Sequence, residues 1–194
     1  VDLVWAPPVE VVYPPGYQTY VTVEEVTKPL EGAARLGHFR GVATVVAKLF
    51  NVFQPTRAYF GQKDAQQAVA IRQMARDLNF NLEVVVCPTV REPDGLAMSS
   101  RNAHLKPEGR AAATVLYRAL SAAVGEWEQG QRDADHLRAT MTRIIQAEPL
   151  ARMDYVSVAH PETLQEIDGQ AERALLSMAV FVGPTRLIDN MVVG

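Results

Sequence analysis

The chain has 194 residues, of which 48% are hydrophobic and 21% charged, and its formal net charge is −3 at pH 7. That length allows one large or two small domains with a buried core. The slightly acidic charge argues against a nucleic-acid partner, because nucleic-acid-binding domains have a basic surplus. No apolar run reaches the ~20 residues of a membrane span, and the one cysteine excludes an internal disulfide. We therefore expect a globular cytoplasmic protein with neither a nucleic-acid nor a membrane partner.

The first part of the chain is rich in proline and has little clear periodicity. Residues 3–6 predict a short buried strand, residues 7–16 a proline-rich connection, and residues 20–23 a second short strand. Because chains seldom begin inside a buried strand, we expect that a further segment of the domain precedes Val1.

Helical and strand patterns then alternate. Apolar residues at helical spacing predict a helix from Gly41, and Pro55 is expected to end it. Residues 57–60 predict a strand, and a second helical pattern follows it. Residues 82–87 are apolar and β-branched enough for an interior strand of a parallel sheet. This alternation predicts an α/β architecture with crossover connections.

The C-terminal half has a different pattern. Pro107 is expected in the first turn of a helix that ends near Gly130, and a further helix is expected to start around Asp133. Strand-like runs follow at residues 153–158, 174–182 and 186–192. Helices followed by hairpin-linked strands predict a small α+β domain, and we place the domain boundary near residue 88.

Two stretches carry donors that suit a polyphosphate. Residues 61–67 lie between a strand and a helix, where free backbone N–H groups and the positive end of the helix dipole attract an anion. Lys63 adds a full positive charge there. Residues 98–101 lie in a polar loop, and the Arg101 guanidinium forms a fork suited to phosphate. Together the two stretches predict a nucleotide site.

Several of these residues also have a plain structural interpretation. Lys63 could be a solvated lysine at a helix end, and Ser99 and Ser100 could be ordinary loop serines. Asp64 with Gln67 predicts a capping box at the start of the helix. A cap and a ligand site are compatible, because a cap fixes the backbone that a ligand uses.

Four ordered sequence motifs extend over nearly the whole chain. They are Gly-His-Phe-Arg-Gly-Val at 37–42, Phe-Gly-Gln-Lys-Asp-Ala-Gln-Gln at 60–67, Asp-Gly-Leu-Ala-Met-Ser-Ser-Arg-Asn at 94–102 and Arg-Leu-Ile-Asp-Asn at 186–190. In this order they closely resemble the pantothenate synthetase family, the pantoate–β-alanine ligases. A lone Met-Ser-Ser-Arg would be a weak signal, whereas the ordered set is highly specific.

The resemblance implies a fold and an activity. Residues 1–88 would be the C-terminal part of a Rossmann-like ATP- and pantoate-binding domain, a partial parallel sheet of the nucleotidyltransferase superfamily. Residues 89–194 would be a small α+β lid domain. ATP and pantoate would give an enzyme-bound pantoyl adenylate and pyrophosphate, and the amine of β-alanine would then attack the acyl carbon, giving pantothenate and AMP. The family also implies Mg²⁺ bridging the phosphates, and a homodimer.

The same resemblance assigns residues to the site. Lys63 and Arg101 would be catalytic, with Lys63 offsetting charge as it develops at the α-phosphorus. Asp64 would contact the ribose hydroxyls, the backbone of Val90 the adenine, and the amide of Gln67 the pantoate. The ATP site would comprise Gly61, Gln62, Lys63, Asp64, Val90, Met98, Ser99, Ser100 and Arg101. The resemblance assigns no residue of this chain to a metal.

Three points stay open at this stage. His38, flanked by glycine before a helix, either caps that helix or lines the site. The family's histidine-bearing ATP motif is expected upstream of Val1, so the chain is either the ligase or a non-catalytic nucleotide-binding part of it. An adenylyltransferase of the same superfamily that uses a different acid is a weaker hypothesis, against which Gln67 argues.

Overall fold

The computed structural model describes residues 2–194. The N-terminal segment contains only short helical turns, namely α1 (Val9–Val12), a 3-10 helix (Glu25–Thr27) and α2 (Glu31–Ala34). The strands predicted at residues 3–6 and 20–23 are wrong, since both stretches are irregular and Leu3 is 86% exposed. Short strands need a neighbour to pair their backbone groups, and no strand within residues 2–194 pairs with either stretch.

The α/β part of the chain follows the predicted order. It consists of α3 (His38–Phe53), β1 (Arg57–Gly61), α4 (Ala65–Asp77) and β2 (Glu83–Cys87). β1 and β2 pair in parallel, from Arg57 opposite Glu83 to Gly61 opposite Cys87. The interior position predicted for β2 is wrong for the described part of the chain, where its one partner is β1. The apolar run of β2 instead reflects its packing against α4.

Three helices open the C-terminal half, namely α5 (Pro107–Ala112), α6 (Val115–Glu128) and α7 (Ala134–Gln146). Pro107 occupies the first turn of α5, as predicted. The single helix predicted from Pro107 to near Gly130 is wrong, because the chain is interrupted between α5 and α6. The hydroxyl of Thr114 donates to the carbonyl of Ala111 at 2.8 Å, and such back-bonding bends helices. Asp133 caps α7 by accepting from the N–H of His136 at 2.8 Å.

The last three strands form an antiparallel sheet in the order β3 (Ala151–Ala159), β4 (Ala174–Val182) and β5 (Thr185–Val193). All three predicted strands are therefore confirmed. Val182 pairs with Thr185, so that Gly183 and Pro184 alone turn the chain between β4 and β5. Gly183 has a φ of 56°, which glycine adopts without steric cost in such tight turns.

The buried apolar residues form two clusters. One cluster lies between α6, α7 and one face of the β3–β5 sheet, and includes Leu120, Met141 and Met178. The other lies around α3 and α4, and Leu164 and Leu175 from the C-terminal half join it. The domain boundary near residue 88 stays a prediction. No helix within residues 2–194 has the length and apolar character to cross a membrane.

Candidate active site

A first cleft opens between the start of α4 and the face of the β3–β5 sheet opposite to α6 and α7. The α/β part contributes His38, Lys63 and Gln67 to its wall. The sheet contributes Tyr155 and Asn190. The cleft thus joins a cation, an imidazole and amide groups from distant parts of the chain.

A second, smaller cleft shares Lys63 with the first. Ser99 and Arg101 line it together with Lys63 and Ile188 of β5. The side chain of Lys63 is 17% exposed, and its Nζ lies 4.0 Å from a carboxylate oxygen of Asp64. Lys63 therefore borders two cavities with a side chain that is largely shielded from water.

The structure brings together only part of the residue set predicted from the sequence. Lys63, Asp64 and Gln67 meet in the first cleft, and Lys63, Ser99 and Arg101 meet in the second. The other predicted ATP-site residues lie outside both clefts, namely Gly61, Gln62, Val90, Met98 and Ser100. Their roles in nucleotide binding stay predictions.

The capping box predicted for α4 is wrong. Asp64 occupies the position before the first helical residue, but its side chain accepts no hydrogen bond from the helix. A 3-10 turn (Gln62–Asp64) separates β1 from α4 and gives Asp64 a ψ of 56°, outside the extended conformation of a capping residue. Asp64 and Gln67 therefore do not form a capping box, and both border the cleft.

The loop that carries Ser99 and Arg101 is ordered by its own hydrogen bonds. The N–H of Met98 donates to the carbonyl of Val90 at 2.9 Å, which closes a small hairpin. The Oγ of Ser99 accepts from the N–H of Arg101 at 3.2 Å and so caps the 3-10 helix Ser100–His104. This turn directs Arg101 to the second cleft.

His38 is the first residue of α3, and Gly37 occupies the capping position. Of the two alternatives left by the sequence, His38 therefore lines the cleft and does not cap the helix. Its Nε2 accepts a hydrogen bond from Nη1 of Arg35 at 3.0 Å, so that the ring proton of the neutral form lies on Nδ1. Burial, followed by the charge of Arg35, lowers the pKa of His38, which keeps the imidazole neutral at neutral pH.

Asn190 is a site residue to which sequence reasoning assigned no role. Its amide nitrogen donates to the carbonyls of Gln62 at 3.0 Å and Lys63 at 2.9 Å. Its oxygen accepts from Nε2 of Gln62 at 2.9 Å. Three hydrogen bonds thus join β5 to the turn that presents Lys63. The motif at 186–190 was the available signal, but a motif does not name its contacts.

A second contact without a predicted role joins β5 to the loop after β2. Arg91 donates to both carboxylate oxygens of Asp189, at 2.6 and 3.0 Å, and also to the carbonyl of Gly95 at 2.9 Å. The Asp189 side chain is 1% exposed. A buried, bidentate ion pair therefore fixes the loop that leads to Ser99 and Arg101.

Gly95 in this loop gives a direct test of the packing. Its φ is 89°, and a Cβ built on it would lie 2.0 Å from Cδ1 of Tyr117. We expect Gly95→Ala to lower the free energy of unfolding by about 2 kcal/mol, through left-handed backbone strain and the displaced ring. Urea unfolding measures the change. Gly125→Ala in α6 is the matched control, because its Cβ meets nothing within 4 Å, and we expect it to stabilise by about 0.5–1 kcal/mol. Equal effects of the two changes would contradict the expected strain at Gly95.

Comparison with known proteins identifies the family. The family model described as pantoate–β-alanine ligase matches residues 1–192. The chain belongs to the pantoate–β-alanine ligase family. A pantothenate synthetase of Chloroflexus aurantiacus is 63% identical over 191 residues, which cover 98% of this chain and 68% of that protein. The family predicted from the four ordered motifs is therefore confirmed, and with it ATP-dependent pantoate–β-alanine ligation.

Solved structures of pantoate–β-alanine ligases have the same fold. Pantothenate synthetase from Thermus thermophilus is 49% identical, with a TM-score of 0.94, and the match covers 98% of this chain and 69% of that one. A ligase from Francisella tularensis complexed with β-γ ATP and β-alanine is 31% identical, with a TM-score of 0.67, over 94% of this chain and 61% of that one. The predicted fold class, a partial Rossmann-like sheet followed by an α+β part, is confirmed.

Proposed function

We propose that the two clefts hold the substrates of the ligation, with pantoate in the first cleft and the ATP phosphates in the second. The observation that carries this proposal is the position of Lys63, which borders both clefts. Gln67 lies with Lys63 in the first cleft, and Arg101 lies with it in the second. A carboxylate and a polyphosphate bound in this way would meet at one ammonium group.

The chemistry of such a site is the offsetting of negative charge. In the first step a carboxylate oxygen of pantoate bonds to the α-phosphorus of ATP, and pyrophosphate leaves with the electron pair of the bond that breaks. Both reactants are anions, so their approach is unfavourable unless fixed cations face it. Lys63 and Arg101 would be those cations, and they would act by position and charge alone.

The second step joins the activated acid to β-alanine. The amine nitrogen bonds to the acyl carbon of the pantoyl adenylate and loses a proton, while the bond from that carbon to the phosphate oxygen breaks and AMP leaves. Negative charge on the phosphate increases as AMP departs, so the same two cations, Lys63 and Arg101, would stabilise the leaving group.

The remaining ATP contacts are part of the same proposal. Gly61 and Gln62 stand at the carboxyl end of β1, the edge at which ligands of parallel sheets bind. Met98 and Ser100 are exposed on the loop beside the second cleft, and the backbone of Val90 would face the adenine. A small inward movement of this loop would close it over the phosphates.

Magnesium would bind together with ATP, as part of the nucleotide substrate. Within residues 2–194, no three side chains of His, Cys, Asp or Glu are grouped so that they could hold a metal ion. Phosphate oxygens and water would therefore be its ligands, as is common for Mg²⁺ bound with nucleotides. We assign no step of the protein's own chemistry to the ion.

We also propose that the ligase works as a homodimer in the cytoplasm, in agreement with the family resemblance and the single cysteine. Analytical ultracentrifugation of the purified protein tests the assembly. A single species at the monomer mass over a wide concentration range would exclude the dimer.

Gln67 tests the assignment of pantoate to the first cleft. We expect Gln67→Ala to raise the KM for pantoate by about tenfold or more, because it removes hydrogen bonds to a charged substrate. The KM for ATP should stay within about twofold, since the two substrates lie in different clefts. Gln73→Ala on the same helix is the matched control, because Gln73 pairs with Asp77 on the surface. An unchanged pantoate KM in Gln67→Ala would place pantoate elsewhere.

Pantoate-dependent exchange of pyrophosphate into ATP tests the proposed catalysis as a whole. Exchange by this chain with Mg²⁺ present would show that it activates pantoate. ATP binding without exchange would favour the alternative of a nucleotide-binding part without catalysis.

A further inference from the structure

A buried charged cluster borders the first cleft through Glu31 and Tyr155. Arg186 of β5 donates to both carboxylate oxygens of Glu31, at 2.7 and 2.8 Å. The hydroxyl of Tyr155 on β3 donates to the same carboxylate at 3.1 Å. The side chains of Glu31 and Arg186 are 10% and 19% exposed. The N-terminal segment is thus held to the C-terminal sheet by one carboxylate that accepts three hydrogen bonds.

Tyr155 and Arg186 in this cluster both keep their protons. Burial, followed by the charge of Glu31, raises the pKa of Tyr155. The hydrogen bond to Glu31 raises the pKa of Arg186. Tyr155 therefore remains a donor and Arg186 a cation across the physiological pH range, and the contact to Glu31 persists there.

Glu31 is also held from the side of α4. The oxygen of the Gln66 amide accepts from the N–H of Glu31 at 2.9 Å, and its nitrogen donates to the carbonyls of Val26 and Pro29 at 2.9 and 2.8 Å. Gln66 is buried and directly precedes Gln67 in α4. Both N–H groups and the oxygen of the Gln66 amide are therefore used to fix the segment that contains Glu31.

The backbone of this segment is strained. Leu30 has a φ of 53° and a ψ of −120°, a conformation that costs a non-glycine residue free energy and persists only where the surroundings impose it. Gly32 lies so close to the preceding turn that a Cβ would stand 1.7 Å from the carbonyl oxygen of Thr27. If the contacts on both sides of Glu31 were lost, the backbone strain at Leu30 would no longer be offset, and the segment would leave this conformation.

The segment leads directly to two residues at the cleft. Arg35 and His38 follow Glu31, both line the first cleft, and they hydrogen-bond to each other at 3.0 Å. We propose that Glu31 and Arg186 form a latch that positions Arg35 and His38 at the rim of the first cleft. Glu31 is thus a positioning residue for the substrate of that cleft, which rests on the proposed function in naming this substrate as pantoate.

Three variants and one control test the latch. Glu31→Gln keeps the shape of the Glu31 side chain and removes its charge. Arg186→Gln removes the guanidinium, and the double variant removes both charges. Asp154→Asn is the matched control, because Asp154 also pairs with Arg186, at 2.9 Å, but is more exposed and does not contact the segment. Each protein is analysed by amide hydrogen exchange of residues 24–37 and by calorimetric titration with pantoate. The titration contains Mg²⁺ and the α,β-methylene analogue of ATP, in which the bond that the first step breaks is blocked, so that no adenylate forms.

We expect Glu31→Gln and Arg186→Gln each to speed exchange in residues 24–37 by about tenfold or more, since truncating one partner leaves a buried group unpaired. The Kd for pantoate should rise by a similar factor, whereas exchange in β4 should not change. The double variant should change the exchange rate and the Kd no more than the more affected single variant does, because both substitutions act through one contact. Glu31→Asp, which keeps the charge, should recover part of the affinity and serves if Glu31→Gln does not fold.

Two results would overturn the latch. One is unchanged exchange in residues 24–37 when Glu31 or Arg186 is replaced, and the other is an equal effect of Asp154→Asn. Faster exchange of the segment with no binding of pantoate by the unmodified protein would keep the latch as a structural contact. That outcome would remove its role in substrate positioning, together with the proposed pantoate site.

Discussion

Lys63→Ala is expected to reduce pantoate-dependent ATP–pyrophosphate exchange by about 10³-fold, the largest effect on activity of any single change. Within residues 2–194, Lys63 is the one cationic residue that borders both clefts, and its side chain is 17% exposed. In a site so shielded from water, a missing cation is replaced poorly by solvent. The nearby Asp64 carboxylate would then add to the repulsion between the two anionic substrates.

The design of the exchange experiment separates charge from position. Lys63→Arg keeps the charge with a different geometry and should retain more activity than alanine, though far less than lysine, because the two cations differ in shape and hydration. Lys106→Ala is the control, since Lys106 is exposed at the start of α5 and lines neither cleft. Exchange in Lys63→Ala within a few-fold of the unmodified rate would remove Lys63 from the mechanism.

Asp189→Asn is expected to have the largest effect on stability, lowering the free energy of unfolding by about 3 kcal/mol. The change preserves volume but leaves Arg91 without its anionic partner in a place where Asp189 is 1% exposed. The loop between β2 and α5 should lose order at the same time, because Arg91 also donates to the carbonyl of Gly95. Denaturant unfolding followed by circular dichroism measures the loss.

A neighbouring ion pair supplies the control for this measurement. Asp94 accepts two hydrogen bonds from Arg110, at 2.7 and 3.1 Å, in the same loop but on the surface. Asp94→Asn therefore makes the same chemical change in an exposed pair and should leave the unfolding free energy nearly unchanged. If Asp94→Asn and Asp189→Asn lowered the free energy of unfolding equally, burial of the ion pair would not explain the loss of stability in Asp189→Asn.

The regular elements and the family could be predicted from the sequence because their signals are local. The apolar spacing after Gly41 and the position of Pro107 each act over a few residues, and α3 and α5 follow from them. The motif residues Lys63, Gln67 and Arg101 likewise reach the clefts in the structure. Their roles in catalysis and binding await the measurements above.

The contacts that assemble the site could not be predicted in this way. Arg91 and Asp189 are 98 positions apart, Gln62 and Asn190 are 128 apart, and Glu31 and Arg186 are 155 apart. No periodicity relates residues so distant, and which of many arginines faces which carboxylate depends on the tertiary fold. The strands predicted near the N-terminus were wrong for the related reason that a strand depends on a partner that local sequence does not specify.

The final strand limits the changes of length that the chain tolerates. Side chains alternate between the two faces of a strand, so Arg186 and Asn190 of β5 share one face, and Asp189 takes the other. One residue inserted within β5, between Arg186 and Asn190, would place these two side chains on opposite faces and break the contacts of the strand with Glu31 or with Gln62. The connection from β3 to β4 is constrained as well, because Leu164 is buried in the cluster around α3 and α4, and Ala171 is buried in the cluster beneath α6 and α7. Natural variants and engineered fusions should therefore keep the length of both β5 and this connection.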